Sequence, residues 1–154
     1  MTYKIRKATI EDLSDIQRLN HELFKKEFNE YDNSLNINWP LEQDGKNYFT
    51  NQIENQFVYI VLYDSKTIGY LSGLIRKTNS CFKTKRAVID NMIIEEKYRN
   101  EGIGTLLIDE FKKWCKENSV DEILVDVFMK NNKGINFYKN NDFDDYEAFL
   151  KCKL

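Results

Sequence analysis

The chain has 154 residues, 42% hydrophobic and 14% aromatic, which suits one compact domain with one core and excludes wholesale disorder. Its 23 basic and 25 acidic residues leave a formal net charge of -2, which offers no broad field for nucleic acid. No apolar run approaches the roughly 20 residues that span a bilayer, Met1–Lys7 lacks the apolar centre of a secretory signal, and the wide spacing of Cys81, Cys115 and Cys152 beside a lone His21 suggests neither a disulfide framework nor a zinc motif.

What remains is a cytoplasmic protein with no metal and no membrane partner. Tyr3 to Ala8 alternates as a first strand. Thr9-Ile10-Glu11-Asp12 reads as a capping box, and Leu13, Ile16, Leu19, Leu23 and Phe24 recur at helical spacing behind it, predicting a helix to about Phe28. Residues 29–45 are polar, aromatic and irregular, hold the only proline, Pro40, and read as a long loop. Lys46 to Gln56 suggests a second, short helix. Phe57 to Tyr63 is an apolar strand, turned through Asp64-Ser65-Lys66 into a second one, Thr67 to Arg76. Residues 77–85 are loop, and Arg86 to Ile94 is a buried strand. A helix from about Gly102 to Asn118 carries Ile103, Leu107, Phe111, Trp114 and Cys115 on one stripe. Glu122 to Phe128 is the next strand, Asn131 to about Asn140 the last helix, and Phe143 to Cys152 the last strand. The order β-α-α-β-β-β-α-β-α-β is an α/β mixture with an antiparallel first half, one domain over residues 1–154.

One segment carries chemistry. Tyr98-Arg99-Asn100-Glu101-Gly102-Ile103-Gly104-Thr105 lies between a strand and a helix. Glycines two apart let the backbone turn and expose consecutive N–H groups at a helix start, where the helix dipole also favours negative charge. That arrangement can cradle a pyrophosphate, with Arg99 adding a charge-assisted contact. It is neither a P-loop, since Thr105-Leu106 follow Gly104, nor a Rossmann fingerprint, which needs glycine where Leu107 stands. A tight turn that merely packs a helix explains the glycines alone equally well.

Residues 99–104, R-N-E-G-I-G, resemble the acetyl-CoA-binding R/Q-x-x-G-x-G/A signature of the GNAT superfamily of N-acetyltransferases. Ile89-Asp90-Asn91-Met92-Ile93-Ile94 resembles the family's preceding strand. Asn131, Gly134, Phe137, Tyr138 and Phe143 resemble its second pattern, N-x-x-A-x-x-F-Y-x-x-x-G-F, and the element order agrees along the whole chain. The resemblance implies a GNAT-like fold in which the strands Arg86–Ile94 and Glu122–Phe128 part to admit the pantetheine arm of acetyl-CoA. It implies that backbone groups of Met92, Ile93 and Ile94 hold that arm, and that those of Asn100, Glu101, Gly102, Ile103, Gly104 and Thr105 hold the pyrophosphate. Asn131 would orient the pantetheine, or simply cap its helix.

Tyr138 stands where the family commonly places its general acid, and a phenol with an ordinary pKa of about 10 holds its proton for that task; packing beside Phe137 is the plainer alternative. The family's usual strand glutamate corresponds to Val88, which takes no proton. Asp90, on the same strand face, could relay one through water or serve as a structural carboxylate. Asp142 replaces the usual glycine of the second pattern, at a place an aspartate can fill in a left-handed turn.

In the family the first two helices, their loop and the last strands shape the acceptor pocket. Here that region carries Glu27, Glu30, Tyr31, Asp32, Trp39, Glu42, Asp44 and Tyr48. Glu27, Tyr31 and Trp39 suit a cationic amine through ion pairing and cation–π contact, although a solvated acidic loop would look the same. The expected activity is direct acetyl transfer to a primary amine of a small molecule or protein, with a homodimer left open. A non-catalytic acyl-CoA-binding or sensor module is the rival, and an acetyltransferase acting on charged tRNA is disfavoured by the near-neutral charge.

Overall fold

The protein is described by a computed structural model over residues 2–154; Met1, the first residue of the N-terminal segment considered above, lies outside them. The strands are β1 (Tyr3–Lys7), β2 (Phe57–Tyr63), β3 (Lys66–Ile75), β4 (Arg86–Ile94) and β5 (Glu122–Val125). The helices are α1 (Leu13–Glu30), α2 (Gln43–Asn55), α3 (Ile103–Glu117) and α4 (Asn132–Lys139), with short 3₁₀ turns at Ile10–Asp12, Trp39–Leu41 and Glu96–Tyr98. The sheet runs in the order β1-β2-β3-β4-β5, antiparallel except for the parallel pair β4–β5. The β2–β3 hairpin turns through Asp64 and Ser65, both at positive φ, as a tight primed turn requires.

Both faces of the sheet are covered. One core joins Phe57, Val61, Ile68, Leu71, Ala87 and Ile89 to Ile103, Leu107, Ile108, Phe111 and Cys115 of α3. The apolar stripe of α3 therefore supplies one layer, with Trp114 stacked on Phe111 at 5.7 Å and against Phe57 at 5.5 Å. The other core joins Val58, Ile60, Tyr70 and Ile93 to Ile16 and Leu19 of α1 and Phe49 and Ile53 of α2. Cys115 is buried, whereas Cys81 and Cys152 are exposed free thiols.

The start of α1 is held by Asp12, whose carboxylate accepts from the Thr9 N–H at 2.8 Å and from both Nη atoms of Arg6 at 2.8 and 2.9 Å. That triple acceptance holds the Asp12 carboxyl below its ordinary pKa, the Arg6 hydrogen bonds contributing most. Lys112 donates to Asn141 O at 2.9 Å and Asp142 at 3.0 Å. Asp142 adopts φ 71°, the left-handed turn anticipated for it.

The expected last strand over Phe143–Cys152 does not form. Residues 143–154 make no ladder and the sheet ends at β5. β5 is only four residues long, so it offers a second neighbour few backbone groups. Side chains guide the segment instead: Lys139 pairs with Asp145 at 3.0 Å, Arg86 donates to the Tyr146 hydroxyl at 3.2 Å, and Lys151 pairs with Asp32 at 3.0 Å.

Candidate active site

Two irregularities of β4 create the site. Ser72 faces Asn91 while Gly73 faces Ile89, which makes Asp90 the extra residue of a β-bulge. The bulge breaks alternation, so Asp90 and Asn91 both turn toward the α1/α2 side, where they meet Tyr48 and Asn20. Before and beyond it, Ile89, Met92 and Ile94 join the α3-side core and Ile93 the opposite one. The second irregularity is a parting of strands. The β4–β5 ladder runs from Arg86↔Glu122 to Ile89↔Val125 and stops. Residues 91–94 remain paired with β3, and their alternate N–H and C=O groups face an edge that β5 no longer occupies.

At the far end of this opening stands the N-terminus of α3. Asn100 and Gly102 have positive φ, 65° and 78°. No side chain caps the helix, and its first intrahelical bond is Leu106 N–H to Gly102 O at 3.2 Å. The N–H groups of Ile103, Gly104 and Thr105 are therefore left for a ligand or water. A Cβ on Gly102 would meet nothing within 4 Å, so space opens above the turn, whereas one on Gly104 would come within 2.9 Å of the Phe137 ring. Gly104 thus serves the packing of α3 on α4. The Ile103 side chain is buried in the core and only its backbone is available.

These features fit a pyrophosphate, and neighbouring side chains shape the cradle indirectly. Arg99 donates from Nε to Ile94 O at 2.7 Å, bracing the loop against β4. Glu101 accepts from the Tyr3 hydroxyl at 2.5 Å, a bond that pushes the Tyr3 pKa up to about 12 and draws the carboxylate toward β1. Asn131 caps α4, its Oδ1 accepting from Gly134 N–H at 2.9 Å.

On the α1/α2 side a polar network lines the opening. Asp90 Oδ2 accepts from the Tyr48 hydroxyl and from Asn91 Nδ2, the latter at 2.7 Å. Buried Asn20 donates to Asn91 Oδ1 at 3.1 Å and to the Tyr70 hydroxyl at 2.8 Å. Asp90 is solvent-accessible, yet desolvation by its surroundings raises its pKa, partly offset by the Tyr48 and Asn91 bonds. Asn20 and Asn91 were not singled out from sequence. A polar residue on an otherwise apolar helix stripe, directly after Leu19, was the available signal.

Glu27 on α1 and Tyr31 at its C-cap are four residues apart, about one turn. The Tyr31 ring stacks on Phe128, just beyond β5, at 5.2 Å. Trp39 packs on Phe24 at 5.8 Å and Tyr48 at 5.6 Å, and so supports Tyr48 from behind. Tyr138, on α4, packs between Phe137 and Phe143. It is half-buried as a residue, but burial of its phenol, and then the Glu27 charge, raise its pKa above the ordinary value. Its hydroxyl makes no hydrogen bond to any described residue. No group of three or more His, Cys, Asp or Glu able to hold a metal ion occurs among the described residues.

A mixed sheet whose parallel pair parts before an uncapped helix start defines a GNAT-like α/β fold. The sequence pattern of the Acetyltransferase (GNAT) family matches residues 13–143, and the chain belongs to that family. It is 24% identical over 153 residues to an uncharacterized N-acetyltransferase of Methanocaldococcus jannaschii, covering 96% of this chain and 63% of that protein. It is 24% identical over 120 residues to streptothricin acetyltransferase A of Bacillus subtilis, covering 77% and 60%. The chain thus spans about three-fifths of the length of these two curated relatives. An N-alpha-acetyltransferase of Sulfurisphaera tokodaii is 23% identical over 154 residues, covering 95% and 83%.

Among solved structures, a mutant of the BH1408 protein from Bacillus halodurans superposes with TM-score 0.87 at 21% identity, covering 98% of this chain and 99% of that one. A predicted acetyltransferase from Clostridium acetobutylicum, solved with acetyl-CoA, superposes with TM-score 0.80 at 21% identity, covering 99% and 96%. At these identities the structures speak for the fold.

Proposed function

We propose that the protein is an acetyl-CoA-dependent N-acetyltransferase that passes acetyl directly to a primary amine of a small molecule or a protein. The observation that carries this reading is the opening between β4 and β5, with unbonded N–H groups of α3 at one end, beside a Tyr138 phenol that packs against the α3-side core without a hydrogen bond to any described residue.

Bound acetyl-CoA would supply the thioester and the leaving thiolate. Ile103, Gly104 and Thr105 would hold the pyrophosphate through backbone N–H groups, with Asn100, Glu101 and Gly102 forming the turn and Arg99 bracing it. Met92, Ile93 and Ile94 would pair the pantetheine through the edge that β5 leaves. Tyr138 would donate its proton to the departing sulfur, a role that suits a phenol kept protonated well above neutrality. The carboxylates of Glu27, close to Tyr31, and of Asp90 favour a cationic acceptor, and Asp90 Oδ1, free of hydrogen bonds to described residues, can meet an ammonium or a water. Relatives named for streptothricin and for N-alpha acetylation point to different acceptors, so the amine is specified here only by class.

The test is release of free thiol from acetyl-CoA in the presence of a panel of primary amines, small and peptidic. Amine-dependent release is expected. Tight acetyl-CoA binding without release for any amine would instead support an acyl-CoA-binding module without catalysis.

A further inference from the structure

Resting on that acetyltransferase reading, we infer that the Glu27 carboxylate is the base that takes the proton from the acceptor ammonium. Two contacts, one from α1 and one from its C-cap, locate it. Asn20, two turns before Glu27 on the same face, touches Asn91 of β4 at 3.1 Å. Tyr31, one turn after it, stacks on Phe128 beyond β5 at 5.2 Å. The stretch of helix between these two anchors therefore bridges the gap where β4 and β5 have parted, and Glu27 hangs over that gap from the α1 side.

Its charge is felt across the opening. It contributes to the raised pKa values of Tyr31 at the C-cap of its own helix, Tyr70 on β3 and Tyr138 on α4. Tyr138 packs with the α3-side core, so it and Glu27 approach one site from opposite faces of the sheet, as a base and an acid must.

Glu27 is also an uncommitted carboxylate. Asp90 is engaged by Tyr48 and Asn91, and Asp32 by Ser34 and Lys151. Glu27 has neither a hydrogen bond nor an ion pair through its carboxylate to any described residue. Burial pushes its pKa up to about 7, against a smaller lowering by Lys26, which places it where a base at neutral pH works best. It thereby fills the vacancy left by Val88 on β4.

Glu27 accepts one proton from the ammonium and frees the nitrogen lone pair. That pair forms the C–N bond to the acetyl carbon; the C–S bond breaks, and sulfur takes its electron pair together with the Tyr138 proton. The second nitrogen proton is lost as the amide forms and restores Tyr138 through solvent, while Glu27 returns its proton to water. The products are the N-acetyl amide, free CoA thiol and one proton.

The titratable groups facing Glu27 are Lys26 on α1, Tyr31 at its C-cap with Glu30 beside it, Tyr70 on β3 and Tyr138 on α4. Asp90 on β4 and its partner Tyr48 on α2 border the same cluster through Tyr70. The experiment is therefore a pair of kcat/KM profiles against pH, with benzylamine and acetyl-CoA as probes, for folded Glu27→Gln and Asp90→Asn beside the wild type. The wild type should rise to a plateau with a midpoint near about 7. Glu27→Gln should lose about a hundredfold at neutral pH, keep climbing toward the pKa of the amine itself, and so recover at high pH. Asp90→Asn should keep the wild-type midpoint.

Turnover by Glu27→Gln with the wild-type rate and midpoint would overturn the assignment while leaving the acetyltransferase reading intact. Wild-type protein that binds acetyl-CoA but releases no thiol with any amine would overturn both. Independently of turnover, a ¹³C titration of the Glu27 carboxyl near neutrality supports the role, and an ordinary glutamate value excludes it.

Discussion

The Glu27 carboxylate adds to the raised pKa of the Tyr138 phenol although the two belong to opposite layers of the protein, the phenol packed with α3 and the carboxylate carried by α1. Only the parting of β4 from β5 beyond Ile89 allows this. An intact ladder would place a wall of backbone between them. On the proposed reading, the opening serves both as the slot for a thioester and as the meeting place of an acid and a base.

That relationship has a cost visible in stability. The folded pKa of Glu27 is raised to about 7, so the fold favours its protonated form. Its contribution is fully present below the unfolded value of about 4.3 and is lost as pH rises through the folded value. Glu27→Gln should therefore raise stability by about 1–3 kcal/mol at alkaline pH and leave it nearly unchanged in acid. Thermal unfolding of both proteins across pH checks this, and a variant less stable at alkaline pH contradicts it.

Removing only the hydroxyl of Tyr138 should separate chemistry from packing. Tyr138→Phe is expected to lower kcat by about ten- to a thousandfold with acetyl-CoA affinity unchanged, because its ring still packs on Phe137 and Phe143. Steady-state kinetics with calorimetry measure the two quantities. Full turnover would mean that water protonates the thiolate.

The two loop glycines should fail for different reasons. Gly102 sits at φ 78° with open space around it, so Gly102→Ala strains the turn by about 1–2 kcal/mol and Gly102→Val also projects into the ligand's volume. At Gly104 a new Cβ meets Phe137 at 2.9 Å, so Gly104→Val should destabilise the α3–α4 contact and lower the melting temperature more. Calorimetric titration of acetyl-CoA on folded Gly102→Val is expected to show strongly weakened binding; unchanged affinity would misplace the cradle.

Far from the site, Asp12 holds the start of α1 against β1 through Arg6. Its pKa is depressed, so its contribution is present above the unfolded value of about 3.9 and is lost as pH falls through the folded one. Asp12→Asn should cost about 1–3 kcal/mol near neutrality, and the difference should close in strong acid. Urea denaturation at several pH values tests the convergence.

Sequence periodicity alone determined most of the scaffold. The apolar stripe of Ile103, Leu107, Phe111 and Cys115 and the strand Arg86–Ile94 appear where expected, because burial selects side chains at the spacing of the element they belong to. Asp142 takes a left-handed turn for a similarly local reason. The last strand does not form, because a strand needs a neighbour with free backbone groups, and β5 proved too short to offer many. Nor could spacing reveal the bulge that turns both Asp90 and Asn91 toward α1, or Asn20 waiting beneath them. The electrostatic reach of Glu27 to Tyr138, residues far apart in the chain, arose only when two layers packed on one sheet and a ladder stopped. Local patterns record what each element buries; which uncommitted groups share an opening is decided by how the elements meet.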